Sequence, residues 1–433
     1  MEPEKPVKRF HYAWVIFAVC FLSVLTALGF NSSPKSLYLA AVTEELGIPR
    51  SLFSMGDSCR YLATAIINLF FGRLVARFGP RKLMAAGFGC MVVFNLLCAF
   101  ATRVWTFYLG NLFLGLGLAW STTSLVGIVV EKWFTSRKGT IMGLILAANG
   151  LGGAISSQII SRLIYGGTGG WRTAYVVTAV IVAVTGVLLV VLMRNTPAEM
   201  GLAPLGSGQK AAKKQRGRDW IGIEAQEAFH KPYFYVCVVC VFLTGMILQS
   251  ASGVSSAHMR DRGISTEVIA NVLSLGSLIL MVSKMSTGAC FDRFGLRATM
   301  LLCNVCAVIA IGLLAFVSNG TMAMAYKLFA AFGLPLETIM LPLITKECFG
   351  QKSYAFLMGL MVSFNTLGYA VGAPLMNWAF DTTGTYSWAL VAVAGLMVAV
   401  AIVMQFVITA AHRQREQVEA AQTVENFEKT LRD

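Results

Sequence analysis

The segment FGRLVARFGPRKLM, residues 71–84, occurs a second time in altered form as TGACFDRFGLRATM, residues 287–300. Five of the positions that carry the same residue in both copies, each pair 216 positions apart, are Gly72 and Gly288, Arg77 and Arg293, Phe78 and Phe294, Gly79 and Gly295, Arg81 and Arg297. The same separation relates GLILAANGLGGA, residues 143–154, to GLMVSFNTLGYA, residues 359–370. One separation shared by distant segments indicates that the chain is two copies of one unit.

The composition between these segments is that of an integral membrane protein. Of the 433 residues, 56% are hydrophobic and only 13% are charged, whereas a soluble domain carries about 25% charged residues. Runs of about 20 apolar residues, enough to cross a bilayer as a helix, recur along the chain. We predict twelve helices, at 12–34, 51–76, 82–102, 105–130, 139–163, 171–193, 232–257, 266–291, 297–318, 321–345, 353–380 and 386–411.

The duplication and the charge pattern predict a topology. Six helices separate the copies, so both have the same orientation and are related by a pseudo-twofold axis along the membrane normal. Most of the 35 Lys and Arg residues fall at one side, as the positive-inside rule requires of cytoplasmic segments. We therefore expect cytoplasmic termini at 1–11 and 412–433, bundles at 12–193 and 232–411, and a cytoplasmic linker at 194–231. This distribution also explains the net charge of +14 without a nucleic-acid partner.

The repeated segment resembles a motif of the major facilitator superfamily, G-x-x-x-D-R-x-G-R-[RK], found between its helices 2 and 3. The resemblance implies an all-α membrane transporter of two six-helix bundles, without a cofactor and expected to be a monomer. It also implies a role in gating, beside topology and turn formation, for Gly72, Arg77, Gly79, Arg81, Asp292, Arg293, Gly295 and Arg297. The first copy departs from the motif because Ala76 replaces the aspartate that Asp292 keeps.

Three further segments are similar to the monocarboxylate porters and the oxalate:formate antiporters. They are WFTSRKGTIMG at 133–143, NTPAEMGLAPLG at 195–206 and EAFHKPYFY at 227–235. The resemblance implies a plasma-membrane transporter that moves a small carboxylate such as lactate, pyruvate, formate or oxalate by alternating access. Either symport with a proton or exchange against another anion is consistent with it.

Two lysines within apolar helices are the expected anion-binding groups. Lys35 resembles a substrate-coupling lysine of this branch, and Lys284 precedes Gly288 by the spacing of its substrate-binding arginine. A cation inside a membrane helix costs about 2.5–3.5 kcal/mol on insertion scales and normally faces a polar cavity. The alternative is that either side chain extends to a membrane interface. Lys lacks the planar fork of Arg, and Leu280 replaces the aspartate of the family's proton-coupling pair.

Glu337, near the middle of the tenth predicted helix, is the remaining proton-coupling candidate. Burial favours the uncharged form of a carboxyl group, so Glu337 could carry a proton; alternatively it pairs with Lys284 or Lys327. On the second predicted helix, Arg60 follows Asp57 at helical i, i+3 spacing, and we expect this pair to neutralise itself locally. An unpaired, inward-facing Arg60 would instead favour a dicarboxylate.

Uncharged polar residues of several helices complete the expected substrate path: Asn31, Thr122, Thr123, Asn149, Gln249 and Asn365. For Asn149 and Asn365, at matched positions of the two copies, a helix–helix hydrogen bond is the favoured alternative. The sequence contains no G-x-x-x-x-G-K-[ST] phosphate loop, so a gradient rather than ATP is the expected energy source, and no enzyme activity is expected. The competing hypotheses are a porter of drugs or other organic anions and a membrane sensor that does not transport.

Overall fold

The computed structural model describes residues 11–135, 138–167, 169–206, 222–350 and 352–432. The predicted N-terminal segment 1–11 and linker 194–231 therefore lie largely or partly outside the described residues. Within the described ranges the chain forms fourteen α-helices: α1 Ala13–Asn31, α2 Lys35–Leu46, α3 Arg50–Ala99, α4 Val104–Ser121, α5 Thr123–Trp133, α6 Lys138–Tyr165, α7 Gly170–Leu192, α8 Ala225–Phe229, α9 Pro232–Asp261, α10 Thr266–Ala315, α11 Gly320–Gly333, α12 Met340–Phe349, α13 Tyr354–Thr383 and α14 Ser387–Arg432.

The repeated segments form sharp turns inside α3 and α10. Gly79 has φ 75° and ψ 161°, and Gly295 has φ 74° and ψ 178°, a backbone region that is accessible to glycine and strained for other residues. Residues on both arms of α3 contact one stretch of α4, since Arg60 lies against Gly115 and Gly87 against Gly117. The chain therefore reverses direction at each glycine, and α3 and α10 each supply two of the predicted helices.

Ten helical segments of the described chain are long and apolar enough to span a membrane, or eleven when the bent pair Gly320–Glu337 and Met340–Phe349 counts as one span. The twelfth predicted span is the first arm of α3, which carries Asp57 and Arg60 and does not meet that criterion. The first predicted helix, 12–34, was too short. It is interrupted at residues 32–34 and continues as α2 to Leu46, so Lys35 lies within the span and not at its end.

Two predicted helices are broken at matched positions. The fourth is interrupted at Thr122, with φ −120° and ψ −140°, and the tenth contains the 3₁₀ segment Leu334–Glu337 followed by Thr338, with φ −121° and ψ −61°. Thr122 and Thr338 are 216 positions apart. Predicting continuous helices at 105–130 and 321–345 was wrong because apolar composition does not report local backbone geometry.

Glycines let the helices of each bundle approach closely at equivalent places. A Cβ atom on Gly152 of α6 would lie 2.2 Å from the Leu25 carbonyl oxygen of α1, and one on Gly368 of α13 would lie 2.2 Å from the Phe242 carbonyl oxygen of α9. Small residues are what close packing of membrane helices requires. Because these glycines are also 216 positions apart, the duplication extends to helix packing.

The hydrogen bonds between the two bundles are concentrated on one side of the molecule. We call the side with the α1 start and the Gly79 and Gly295 turns the terminal side, and the opposite side the far side. Every hydrogen bond between described residues of the two bundles lies in the far half of the molecule, through contacts such as Arg50–Asp261, Arg260–Glu44 and Ser274–Ala154. The molecule is thus closed on the far side.

Candidate functional site

A cavity of about 510 Å³ lies between the bundles. Both halves of the chain line it. Its polar wall consists of Ser32, Ser33, Arg60, Tyr61, Thr64, Asn68, Thr122, Thr123, Ser124, Gln249, Ser252, Ser277, Lys327, Thr338, Thr366 and Tyr369. This volume is that of a small-molecule site, and the wall is rich in hydroxyl and amide groups.

The helix break at Thr122 explains why three consecutive polar residues reach this cavity. In a continuous helix, side chains of neighbouring residues point about 100° apart. The extended backbone of Thr122 lets Thr122, Thr123 and Ser124 all line the wall. Thr338, at the matched break of the second bundle, lines it too. The breaks therefore increase the number of hydroxyl groups that a bound molecule can contact.

A buried charge cluster lies next to the cavity on the first bundle. The ammonium of Lys35 bonds to Asp57 and donates to Asn111 at 2.9 Å. The expected pair of Arg60 with Asp57 is present at 3.2 Å. The side chains of Lys35 and Arg60 are only 17% and 6% exposed, which excludes extension of Lys35 to the membrane interface. One carboxylate thus serves two cations, and the cluster keeps one positive charge.

Arg60 places the positive charge of this cluster at the cavity wall. Its guanidinium donates to Ser32 Oγ at 3.0 Å and packs 4.3 Å from the Tyr61 ring centre, while Nε has no hydrogen-bond partner. Lys35 and Asp57 line an adjoining cavity of about 60 Å³ that Arg60 shares. The expectation that Asp57 alone neutralises Arg60 therefore needs correction, because Lys35 competes for the same carboxylate.

Lys327 of α11 supplies a second cation to the cavity from the other bundle. Its stem packs against Gly276 of α10, where an added Cβ atom would lie 2.0 Å from Lys327 Cγ. Among the described residues, Lys327 has neither a hydrogen bond nor an ion pair, and its ammonium lies 5.8 Å from the Tyr326 ring centre. Glycine at 276 thus makes room for a cation that faces the cavity without a counter-charge.

Lys284 and Glu337 lie near each other without an ion pair between them in the described part of the chain, and neither lines the described cavities. Their charges are close enough to interact, and Tyr369 lies beside the Glu337 carboxyl group. Glu337 Oε1 is buried without a hydrogen-bond partner. Of the two partners that the sequence suggested for Glu337, the structure favours Lys284. Tyr369 connects this pair to the cavity wall.

The other expected polar residues divide into two groups. Gln249, Thr122 and Thr123 line the main cavity. None of the three asparagines lines the described cavities, although the partner of Asn149 does: Asn31 accepts from Asn95 at 2.7 Å, Asn149 accepts from the lining residue Ser33 at 3.3 Å, and Asn365 donates to the Val241 carbonyl at 3.2 Å. Asn149 and Asn365 thus make the helix–helix contacts that were their alternative.

The expected gating residues lie at the turns on the terminal side. Arg81 donates to the carbonyl of Val190 at 2.8 Å, near the end of α7, and its N–H donates to Asn195 at 2.9 Å. Arg77 and Arg293 pack against Phe78 and Phe294. Arg297 approaches Gln405 at 3.5 Å. The environments of Gly72 and of the Asp292 side chain lie outside what the structure describes.

An ionic cluster closes the far side across the two bundles. Arg50 forms a two-bond contact with Asp261, at 2.5 and 2.9 Å, and its guanidinium lies 4.2 Å from the Phe380 ring centre. The carboxylate of Asp381 accepts from the backbone N–H groups of Arg50 and Ser51. Paired bonds between arginine and carboxylate are strong and directional, so this cluster stabilises the closed far side.

Sequence reasoning identified part of this site. It found Gln249 and the threonines but did not select Arg60 or Lys327 as binding groups. For Lys327 a signal was present, since it is a cation within an apolar helix. The missing information was that Gly276, 51 positions earlier, leaves space for its stem.

Comparison with known proteins is consistent with this geometry. The sequence profile of the Major Facilitator Superfamily matches residues 19–346 and 239–432. The chain belongs to the major facilitator superfamily.

Individual relatives are distant. The chain is 24% identical to the uncharacterized MFS-type transporter YcxA of Bacillus subtilis, over 65% of this chain and 67% of that protein. It is 22% identical to monocarboxylate transporter 12 of Rattus norvegicus, over 94% of this chain and 87% of the relative. The crystal structure of nucleoside transporter NupG superposes with a TM-score of 0.69 and 13% identity, covering 93% and 99% of the two chains. This facilitator therefore has the fold of membrane transporters, with a small molecule as its substrate.

Proposed function

We propose that this protein transports a small carboxylate anion across the plasma membrane by alternating access, as a monomer with its terminal side in the cytoplasm. The observation that carries the proposal is the unpaired Lys327, which lines the same cavity as Arg60. The similarity to a monocarboxylate transporter over 94% of the chain supports the substrate class. The basic residues at the terminal side support the orientation.

Charge balance around the cavity favours an anionic substrate. Arg60 shares Asp57 with Lys35, Lys284 has Glu337 nearby but forms no ion pair with it, and Lys327 has no acidic partner in the described structure. Unpaired charges in a membrane interior are costly. A carboxylate that contacts Arg60 and Lys327 would offset that cost, and the guanidinium offers a planar donor pair that matches a carboxylate. The hydroxyl groups of Thr123 and Thr338, which line the cavity, can donate to the remaining substrate oxygens.

Transport then follows from the position of the two cations. Arg60 belongs to the first bundle and Lys327 to the second, so one bound anion contacts both bundles. Closing the terminal side over Lys327, which is unpaired in the described structure, and Arg60, which shares one carboxylate with Lys35, is unfavourable, because their desolvation is not fully compensated. A bound carboxylate compensates it and permits the closed intermediate. Breaking the Arg50–Asp261 contact would then open the far side.

The test is binding and counterflow with Lys327→Met. Purified protein is screened by thermal shift with monocarboxylates and dicarboxylates, and the best ligand is followed by counterflow in proteoliposomes. Because a charged hydrogen bond contributes about 1.5–3 kcal/mol, affinity should fall about 10- to 100-fold. Arg172→Gln, which removes an exposed cation that pairs with Glu45 within the first bundle, is the control. Unchanged affinity in Lys327→Met would refute the proposed site.

We further propose that Glu337 couples transport to a proton. Its buried Oε1 lacks a hydrogen-bond partner, and Tyr369 connects it to the cavity wall. A carboxyl group in this position could accept a proton when Lys284 turns towards the substrate. Glu337→Gln should abolish uphill uptake driven by a pH gradient while it preserves anion counterflow. If uptake driven by the pH gradient persists in Glu337→Gln at an unchanged rate, Glu337 is not the proton-coupling group.

A further inference from the structure

A second, separate cavity lies on the outer surface of the second bundle, between the second arm of α10 and α14. It is a groove of about 920 Å³. Apolar residues form its floor and walls: Leu301, Val305, Val308, Ile309, Val398, Ala401, Ile402, Phe406 and Ala410. Several of these side chains are strongly exposed, with Phe406 at 70% and Ile402 at 54%. The groove does not include any residue of the transport site.

Two arginines occupy one end of this groove. Arg297 lies at the Gly295 turn and Arg413 on the terminal-side extension of α14, and both are exposed lining residues. Neither forms an ion pair within the described structure, and the side-chain hydrogen bond from Arg297 to Gln405 is a long one, 3.5 Å. Arg81, the counterpart of Arg297, instead donates to a backbone carbonyl at 2.8 Å. The second copy thus leaves its arginine available.

The dimensions of the groove match one leaflet of a bilayer. The lining runs from Arg297 to Ile309 on α10 and from Val398 to Arg413 on α14. At 1.5 Å per residue these stretches are about 18 and 22 Å long, compared with about 15 Å for half of the hydrocarbon core. The apolar part therefore lies at acyl-chain depth when the two arginines lie at headgroup level.

We propose that this groove binds an anionic phospholipid of the terminal-side leaflet, with its acyl chains along α10 and α14 and its phosphate on Arg297 and Arg413. Guanidinium groups bind phosphate through paired hydrogen bonds, and basic pockets at helix ends select anionic headgroups. A second copy of the chain fits less well. An isologous contact through this groove would bring the arginines of both copies together without an acidic partner from the groove lining.

The experiment is native mass spectrometry of the delipidated full-length protein with phosphatidylglycerol and phosphatidylcholine of identical acyl chains. With two cations at the headgroup, phosphatidylglycerol should bind about 10- to 30-fold more tightly. Arg297→Gln/Arg413→Gln should remove that preference. Arg73→Gln/Lys132→Gln, which removes two exposed terminal-side charges of the first bundle, should keep it. Equal affinity for both lipids, or equal loss in both double variants, would overturn the proposal.

A second variant tests the groove separately from the charges. Val305→Trp fills the apolar part at a side chain that is 46% exposed, so folding should be preserved, and binding of both lipids should weaken at least several-fold. Soluble glycerol phosphate should compete poorly, since it lacks acyl chains. Full competition by glycerol phosphate would indicate a phosphate site only. A concentration-dependent dimer that Val305→Trp abolishes, with lipid binding unchanged, would show that a second copy occupies the groove.

Discussion

The two bundles have the same backbone plan but different charges at equivalent positions. Arg60 of the first bundle corresponds to Gly276 of the second, and Asn111 corresponds to Lys327, each pair 216 positions apart. In the first bundle the cation, Arg60, lies on the first arm of α3, and the amide, Asn111, lies on α4. In the second bundle the cation, Lys327, lies on α11, which is the equivalent of α4, and Gly276 makes room for it. Each bundle thus presents one cation to the shared cavity from different helices.

The difference between the bundles lies in how these cations are compensated. Asp57, Asn111 and Ser32 contact Lys35 or Arg60 in the first bundle. Lys327 has no such contacts within the described chain. The first cluster should therefore contribute to folding, whereas Lys327 costs stability and depends on a bound anion for compensation.

The largest expected effect comes from removing the acid of the first bundle. Asp57→Asn leaves Lys35 and Arg60 buried without a counter-charge, and breaking a buried ion pair in this way costs about 3–5 kcal/mol. Thermal unfolding of the purified protein should occur at a much lower temperature. Lys35→Met/Asp57→Asn should recover much of the loss, and Lys327→Met should cause none. A destabilised Lys327→Met would contradict the contrast between the bundles.

The next effect concerns the glycine that makes room for Lys327. In Gly276→Leu, the new side chain occupies the space of the Lys327 stem and should displace the ammonium from the cavity, which lowers carboxylate affinity about 10- to 100-fold. Isothermal titration calorimetry with the best ligand from the thermal-shift screen measures this affinity. Gly288→Ala is the matched control, because a Cβ atom there meets nothing within 4 Å. Equal affinity in the two variants would count against the packing argument.

Opening of the far side should show a moderate effect. Asp261→Asn removes the charge partner of Arg50 between the bundles, and we expect the closed far side to lose about 1–3 kcal/mol of stability. Hydrogen–deuterium exchange should increase in residues 44–53 and 258–265. Arg172→Gln breaks an ion pair within the first bundle and should leave exchange in both segments unchanged. Faster exchange in the control as well would indicate general loosening instead.

The smallest expected effect tests whether the matched asparagines are equivalent. Asn365→Ala removes a buried bond to the Val241 carbonyl and should lower the free energy of unfolding by about 1 kcal/mol. Asn149→Ala loses a longer bond to the Ser33 hydroxyl, so its effect should be smaller. Carboxylate affinity should change little in both variants. A large loss of carboxylate affinity in either variant would indicate that the substituted asparagine contacts the substrate.

The fold could be predicted from the sequence because it depends on repeated and local signals. The length of an apolar run indicates a membrane span, and it depends only on residues that are near each other in the chain. The separation of Gly79 from Gly295 indicates duplication, and it requires only that one separation recur. The prediction of the candidate site was less complete. Thr122, Thr123 and Gln249 were found because polar groups in apolar helices are conspicuous. The three asparagines were grouped with them because the sequence does not show which polar group has a partner on the next helix.

The sequence by itself determined the twofold plan, the positions of the glycine turns and the presence of cations within membrane helices. Only the tertiary structure decided which cations have partners. Asp57 lies 22 positions from Lys35 and Gly276 lies 51 from Lys327, and neither distance along the chain predicts contact. The physical reason is that the energy of a buried charge depends on the groups within a few ångströms of it, and helix packing brings those groups together from distant segments.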